Sequence, residues 1–157
     1  MCIRDRFLLV GFAAITLAAC SSDNDSASDA TTTTTAAPLT PTEFKAQGNA
    51  ICKKGGEDIG ALFADNKDPN TLAPAAKQER FDQVIAITRR QIDDLSALAA
   101  PADLKPQVEA LTTDATAKTD ELVAGGPDAL FASEGDPFAS LNPKFQALGL
   151  TGCVSGN

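Results

Sequence analysis

Residues 74–99 read PAAKQERFDQVIAITRRQIDDLSALA, and apolar side chains recur in this stretch at helical intervals. This spacing places them on one face of an α-helix. Pro101 should end the helix, because a proline disfavours helical geometry in the residue before it. We therefore predict a helix from about Pro74 to Ala99. Its apolar stripe consists of Phe81, Val84, Ile85, Thr88, Ile92, Leu95 and Leu98.

A first helix is predicted upstream. Thr40-Pro41-Thr42-Glu43 matches a capping box, with a Thr N-cap, Pro at the first helical position and Glu at the third. Gly55-Gly56 should weaken the middle of this helix and bend it. The apolar residues that recur along it are Phe44, Ile51, Ile59, Leu62 and Phe63.

A third helix is predicted from about Ala102 to Ala124, where Gly125-Gly126 should stop it. Residues 128–132 are compatible with one further turn. The apolar face of the third helix carries Leu104, Val108, Leu111, Ala115 and Leu122.

The last segment has a more broken pattern. Asp136-Pro137 resembles an N-cap that opens a final helix, and Gly149 occupies the place of its C-cap. Pro143 lies inside this helix, which is therefore either kinked or restarted at Asn142. Its apolar side consists of Phe138, Leu141, Phe145 and Leu148. No stretch alternates with period two, so the predicted fold is all-α, a small bundle of about four helices.

The N-terminal residues predict an export signal. Residues 7–19 read FLLVGFAAITLAA after Arg4 and Arg6, a run too short for a membrane-spanning helix, which needs about 20 residues. It fits the apolar part of a secretory signal peptide. The end of the run, Leu17-Ala18-Ala19-Cys20, resembles the lipobox of bacterial lipoproteins.

The lipobox resemblance implies that a diacylglycerol is transferred to the sulfur of Cys20 and that the chain is cut between Ala19 and Cys20. Two acyl chains suffice for stable anchoring. We therefore expect the mature protein on the outer face of the cell membrane. Residues 20–40 are rich in Ser, Thr and Asp, so a disordered tether is expected there, ahead of a helical domain at 41–157. The Thr31–Thr35 run is either a plain spacer or a glycosylation site.

Two cysteines remain for the domain, Cys52 and Cys153. An exported chain with an even number of cysteines favours a disulfide, while two free or metal-bound thiols are the alternative. Two cysteines so far apart, in a chain without histidine, make a poor zinc site. A bond between them would close a loop of about 100 residues, which the chain-entropy model values at roughly 4 to 5 kcal/mol.

The composition excludes several function classes. The chain has no His, Trp or Tyr and a net charge of −8, which argues against His-based triads and against a basic surface for nucleic acid. No phosphate-binding glycine motif occurs, and no cofactor or metal is predicted. The loop at 65–70 is acidic but lacks the Gly and Glu that an EF-hand needs at fixed positions.

The charged side chains have structural explanations. Adjacent acids at Asp93-Asp94 and Asp120-Glu121 point about 100° apart on a helix, so neither pair forms a two-carboxylate site by itself. Helical spacing predicts that many charges form surface ion pairs. These pairs are Lys53 with Glu57, Lys54 with Asp58, Arg89 with Asp93, Arg90 with Asp94, and Asp114 with Lys118.

The plan of the chain is similar to small, Cys-paired helical lipoproteins of high-GC Gram-positive bacteria. The lipobox, the tether, an early helical cysteine and the ending Leu148-Gly149-Leu150-Thr151-Gly152-Cys153 carry the resemblance. It implies location and fold but no activity. We expect a non-enzymatic surface module that binds a protein, an envelope component or a small ligand. A structural or stress-related envelope protein is the alternative, and a carboxylate-dependent hydrolase is third.

Overall fold

The computed structural model describes residues 37–65, 68–131 and 135–154. The predicted signal peptide, the Cys20 anchor and most of the tether lie outside these residues. The described chain forms four α-helices: α1 Pro41–Leu62, α2 Pro74–Ala97, α3 Lys105–Phe131 and α4 Asn142–Ala147. Short 3₁₀ turns occur at Pro69–Thr71, Ala139–Leu141 and Thr151–Cys153. No strand occurs in the described ranges, and the predicted all-α, four-helix class is confirmed.

The predicted capping box starts α1. The Thr40 hydroxyl oxygen accepts a hydrogen bond from the Glu43 backbone N–H at 3.3 Å, and the Glu43 carboxylate accepts one from the Thr40 N–H at 2.9 Å. The Thr40 hydroxyl also donates to this carboxylate at 2.6 Å. Hydrogen bonds from the Thr40 side chain and then from its backbone lower the pKa of Glu43, because they stabilise the ionised carboxylate.

The buried residues of α1 are one large residue, Phe44, and three small ones, Gly48, Cys52 and Gly55. A Cβ at Gly48 would lie 2.5 Å from Cδ2 of Leu150, and one at Gly55 would overlap the Gln91 side chain. The two glycines therefore allow close approach of the C-terminal segment and of α2. The helix runs through Gly55-Gly56 without a break, and the bend expected there stays a prediction.

α3 includes both the predicted third helix and the further turn predicted at 128–132, as far as the described Phe131. Its helical geometry breaks at Gly126, which has a φ of 70°, and the chain then resumes helical geometry as far as Phe131. Pro127 opens the second segment, where a missing backbone N–H costs little. The predicted stop is thus correctly placed, but the chain turns there and continues as a helix. The neighbouring bounds also shift slightly, since α2 ends at Ala97 and α3 begins at Lys105.

The final segment restarts at Asn142, which settles the two alternatives left by the sequence. The Asp136 carboxylate accepts the Phe138 N–H at 2.9 Å, and the 3₁₀ turn Ala139–Leu141 leads directly into α4. Pro143 lies in the first turn of α4, where it disrupts no helical hydrogen bond.

The predicted C-cap at Gly149 is confirmed as a Schellman motif. Gly149 has a φ of 72°, its N–H donates to the Gln146 carbonyl at 2.9 Å, and the Leu150 N–H donates to the Phe145 carbonyl at 2.8 Å. The motif reverses the chain so that Leu150, which is 1% exposed, enters the core.

The core is divided into two clusters. A small one consists of Phe81, Ile85 and Leu122, and Phe138 packs against both clusters. The larger one, near the disulfide, consists of Phe44, Cys52, Leu95, Val108, Leu111, Ala115, Leu141, Leu148 and Leu150.

The charged residues pair differently from the prediction in three cases. Lys53–Glu57 and Lys54–Asp58 form as predicted, at 3.7 and 2.9 Å. Arg89, however, pairs with Asp120 of α3 at 3.1 Å rather than with Asp93.

The other two corrections concern α2 and α3. Asp114 pairs with Lys144 of α4 instead of Lys118, which pairs with Glu121 at 2.8 Å. Arg90 and Asp94, both within the described part of α2, form no ion pair with each other. Spacing along one helix shows only that two charged side chains can reach each other. In two of these three cases, a side chain of the predicted pair forms its ion pair with a residue on another helix instead.

Candidate apolar cleft beside the disulfide

The predicted disulfide joins Cys52 on α1 to Cys153 in the last 3₁₀ turn, with 4.9 Å between the Cα atoms and a sequence separation of 101. Cys52 is buried and Cys153 is partly buried. The bond fixes the end of the described chain against the middle of α1.

A second link was not predicted from the sequence. Asn49 lies one turn before Cys52, and its carboxamide oxygen accepts the Gly152 N–H at 2.7 Å. Its amide nitrogen donates to the Gly149 carbonyl at 3.1 Å and to the Lys45 carbonyl at 2.8 Å. The amide of Asn49 and the disulfide thus hold the same turn, 149–153. The only sequence signal was the place of Asn49 on the same side of α1 as Cys52.

An open cleft of about 390 Å³ lies between α1, α2, α3 and the C-terminal segment. Cys52, Leu95, Leu111, Ala115 and Leu141 of the large cluster line it. Leu130 and Phe138, which pack against the small cluster, line its other part. The cleft is therefore the space left where the two core clusters separate.

The polar side chains of the cleft are mostly engaged with backbone carbonyls. The Thr88 hydroxyl donates to Val84 at 2.9 Å, and the Thr112 hydroxyl donates to Val108 at 3.0 Å. The Gln91 amide donates to the Cys52 carbonyl at 3.4 Å. These bonds satisfy donors that would otherwise disfavour an apolar occupant. The surface presented to a ligand is consequently largely apolar.

The acidic residues weighed as catalytic groups lie elsewhere. Asp120 and Glu121 take part in surface ion pairs, and neither Asp93 nor Asp94 lines the cleft. The Asp68 carboxylate accepts the Asn70 N–H at 2.9 Å and caps the turn Pro69–Thr71. Within the described residues, no cluster of three or more potential metal ligands occurs.

Comparison of the chain with protein-family models, curated proteins and solved structures finds no match. None of the helices in the described ranges is both long and apolar enough to cross a bilayer. A functional assignment therefore depends on the cleft and on the motifs of the chain itself.

Proposed function

We propose that this chain is a lipid-anchored module on the outer face of the cell membrane, which binds a small apolar molecule in the cleft without transforming it. The cleft beside the disulfide is the observation that carries this proposal. Its volume of about 390 Å³ falls in the range of roughly 300 to 1,000 Å³ usual for small-molecule sites. Such sites are lined mainly by apolar side chains with a few polar groups, as this one is.

Packing considerations support a binding role for the cleft. Protein interiors leave few spaces larger than a water molecule. The core of this domain is small, and side chains of its larger cluster border an open apolar space. On that side these side chains lack van der Waals contacts, which a ligand in the cleft would supply.

The described surface favours a small molecule over a protein partner. Among the described residues, Val123 is the one large apolar side chain classed as exposed, at 40%. Protein-binding surfaces commonly show a contiguous apolar patch. The apolar surface available for binding is concentrated in the cleft.

The proposed location of the protein at the membrane rests on the lipobox-like sequence Leu17-Ala18-Ala19-Cys20. Lipid on Cys20 would keep the domain at the membrane, and the Ser/Thr/Asp-rich residues after it would act as a spacer. A ligand met at this surface would be one that passes through, or partitions into, the cell envelope.

The binding role is tested with N-phenyl-1-naphthylamine, an uncharged probe that fluoresces in apolar sites. The chain contains no Trp or Tyr, so its own fluorescence does not interfere. We expect saturable binding that Gly56→Leu weakens at least tenfold. Gly56 lines the cleft, and a Cβ there meets nothing within 4 Å, so a larger side chain can enter the space without a clash.

Gly60→Leu is the matched control. Gly60 lies one turn further along α1, does not line the cleft and is equally open to a Cβ. Both substitutions remove a helical glycine and should raise helix stability to a similar degree. Absence of saturable binding, or equal loss in the two variants, would reject the cleft as the binding site.

A further inference from the structure

The cleft is long and narrow. On α2 its lining is a single stripe of residues at helical spacing: Val84, Thr88, Gln91, Ile92 and Leu95. At the rise of an α-helix, these positions span about 16 Å along the helix axis. A volume of about 390 Å³ spread over this length leaves a mean cross-section of about 24 Å².

The two ends of the cleft have different surroundings. One end lies beside the disulfide, where Cys52 and Leu95 belong to the larger core cluster. The other end reaches the smaller cluster, against which the partly buried Leu130 packs. Leu130 comes from the segment of α3 beyond Gly126. It therefore borders the end of the cleft that lies away from the disulfide.

The wall between these ends offers few groups to a polar ligand. Thr88 and Thr112 donate their hydroxyls to backbone carbonyls of their own helices. Asp136 is the one charged residue among the described residues of the lining, and its carboxylate accepts the Phe138 N–H. The length and width of the apolar part of a ligand should therefore decide whether it fits.

The dimensions of the cleft match one extended hydrocarbon chain. A methylene group takes up about the same volume as a water molecule in the liquid, roughly 30 Å³. An extended chain advances about 1.3 Å per carbon, because C–C bonds of about 1.5 Å alternate in direction along it. The volume and the length of the cleft both correspond to about 12 to 13 carbons. Two chains side by side, or a fused ring system, would need a wider space.

We propose that the cleft holds a single straight alkyl chain of about 12 carbons, such as that of a single-chain lipid, and leaves the head group of this molecule in solvent. This inference rests on the proposed function and names its ligand class. The occupant is a separate molecule and not the protein's own anchor. An anchor that gave one of its two chains to the cleft would keep a single chain in the membrane, and a single chain gives only marginal membrane binding.

The test uses octaethylene glycol monoalkyl ethers, which share one uncharged head group and carry straight chains of 8, 10, 12, 14 or 16 carbons. Each displaces bound N-phenyl-1-naphthylamine, at concentrations below those at which it forms micelles. We expect the affinity to rise about threefold per carbon up to about 12 carbons, since each methylene that enters the cleft leaves water. Further carbons remain outside the cleft, so beyond this limit the affinity should change less than about twofold.

Leu130→Ala tests whether the cleft sets this limit. The substitution removes three side-chain carbons from one end of the cleft, so the limit should move from about 12 to about 14 carbons. Leu98→Ala is the matched control. Leu98 is also a partly buried leucine that packs against a core cluster, but it does not line the cleft. The limit in this variant should stay that of the wild type.

The outcomes separate the two proposals. If the probe binds but the affinity rises steadily to 16 carbons, or does not depend on chain length, the single-chain proposal is overturned and the proposed function stands. The same holds if Leu130→Ala and Leu98→Ala shift the limit equally or not at all. If Leu130→Ala does not fold, the wild-type series decides. If the probe does not bind, both proposals fall.

Discussion

Asn49 fixes the C-terminal turn through one side chain. It bonds the Gly152 N–H and the Gly149 carbonyl, while the neighbouring Gly152 has little room for a Cβ, which would lie 3.1 Å from the Asn49 carboxamide oxygen. The absence of a side chain at Gly152 therefore leaves the space that the Asn49 carboxamide occupies. Such a contact joins positions 103 apart in the sequence, and no local pattern indicates it.

Asn49→Ala should lower the free energy of unfolding by about 1 to 2 kcal/mol, because it leaves a backbone N–H and a carbonyl without their partner. Asn49→Asp retains the acceptor for the Gly152 N–H, so it should lower the free energy of unfolding by less. Urea unfolding with the disulfide intact measures both. Equal stability of the Ala variant and the wild type would show that Asn49 does not hold the turn.

Glu43 links the stability of the domain to pH. Its pKa is lowered in the folded chain from an ordinary value of 4.5, so its contribution is present above that value and is lost as pH falls through the lower folded value. The stability difference between the wild type and Glu43→Gln should therefore shrink between roughly pH 6 and pH 3. Thermal unfolding across this range measures the difference. A stability difference that stays constant or grows on acidification would contradict this prediction.

At the scale of elements, α1 combines two kinds of glycine. Gly48 faces Leu150 at close range, whereas Gly60 is exposed and open. Gly60→Ala should stabilise the domain by about 0.5 to 1 kcal/mol through helix propensity. Gly48→Ala should destabilise it, since the new Cβ displaces a core side chain that is 1% exposed. Paired urea titrations check the opposite signs, and equal stabilisation of both variants would refute the close packing.

Element type is predictable from the sequence where the hydrophobic period is long. The stripe from Phe81 to Leu95 and the capping box at Thr40 place α2 and the start of α1 correctly. The helical turn predicted at 128–132 is present as far as the described Phe131, but it begins directly after Gly126, because Pro127 suits the first position of a helical segment. The pairing of Arg89 with Asp93 is wrong because spacing along one helix ignores acids on the neighbouring one, such as Asp120.

The candidate site was only partly predictable. The count of cysteines, taken together with the predicted export signal, identified Cys52 and Cys153 as a disulfide pair. The cleft could not be predicted, because it is a gap between two clusters whose members come from four separate segments. No motif encodes such a gap, and Gly56 or Leu130 becomes informative only once the packing is known.

At the scale of the whole molecule, the disulfide adds stability to a domain whose hydrophobic core is small. It closes a loop with a sequence separation of 101, which the chain-entropy model values at about 4 to 5 kcal/mol. Cys52→Ala with Cys153→Ala should therefore remove a large part of the stability of the domain. Thermal unfolding of the double variant checks this, and a change below about 1 kcal/mol would contradict the role assigned to the bond.

The anchor is testable on the full chain. Replacing Cys20 with Ala removes the thiol that would accept lipid, so the variant should leave the membrane fraction or remain as an uncleaved precursor that does not incorporate labelled fatty acid. Wild-type protein should incorporate the label. Fractionation and metabolic labelling of expressing cells measure both, and a labelled Cys20→Ala variant would refute the lipobox assignment.

The central claim, that the cleft is a binding site, is tested most directly by isotope-filtered NMR of the domain saturated with N-phenyl-1-naphthylamine. We predict intermolecular contacts between the probe and methyl groups of Ile59, Ala115 and Leu130, which line the cleft on two helices, α1 and α3. Contacts confined to the exposed Val123, or no contacts to cleft methyl groups, would contradict the claim.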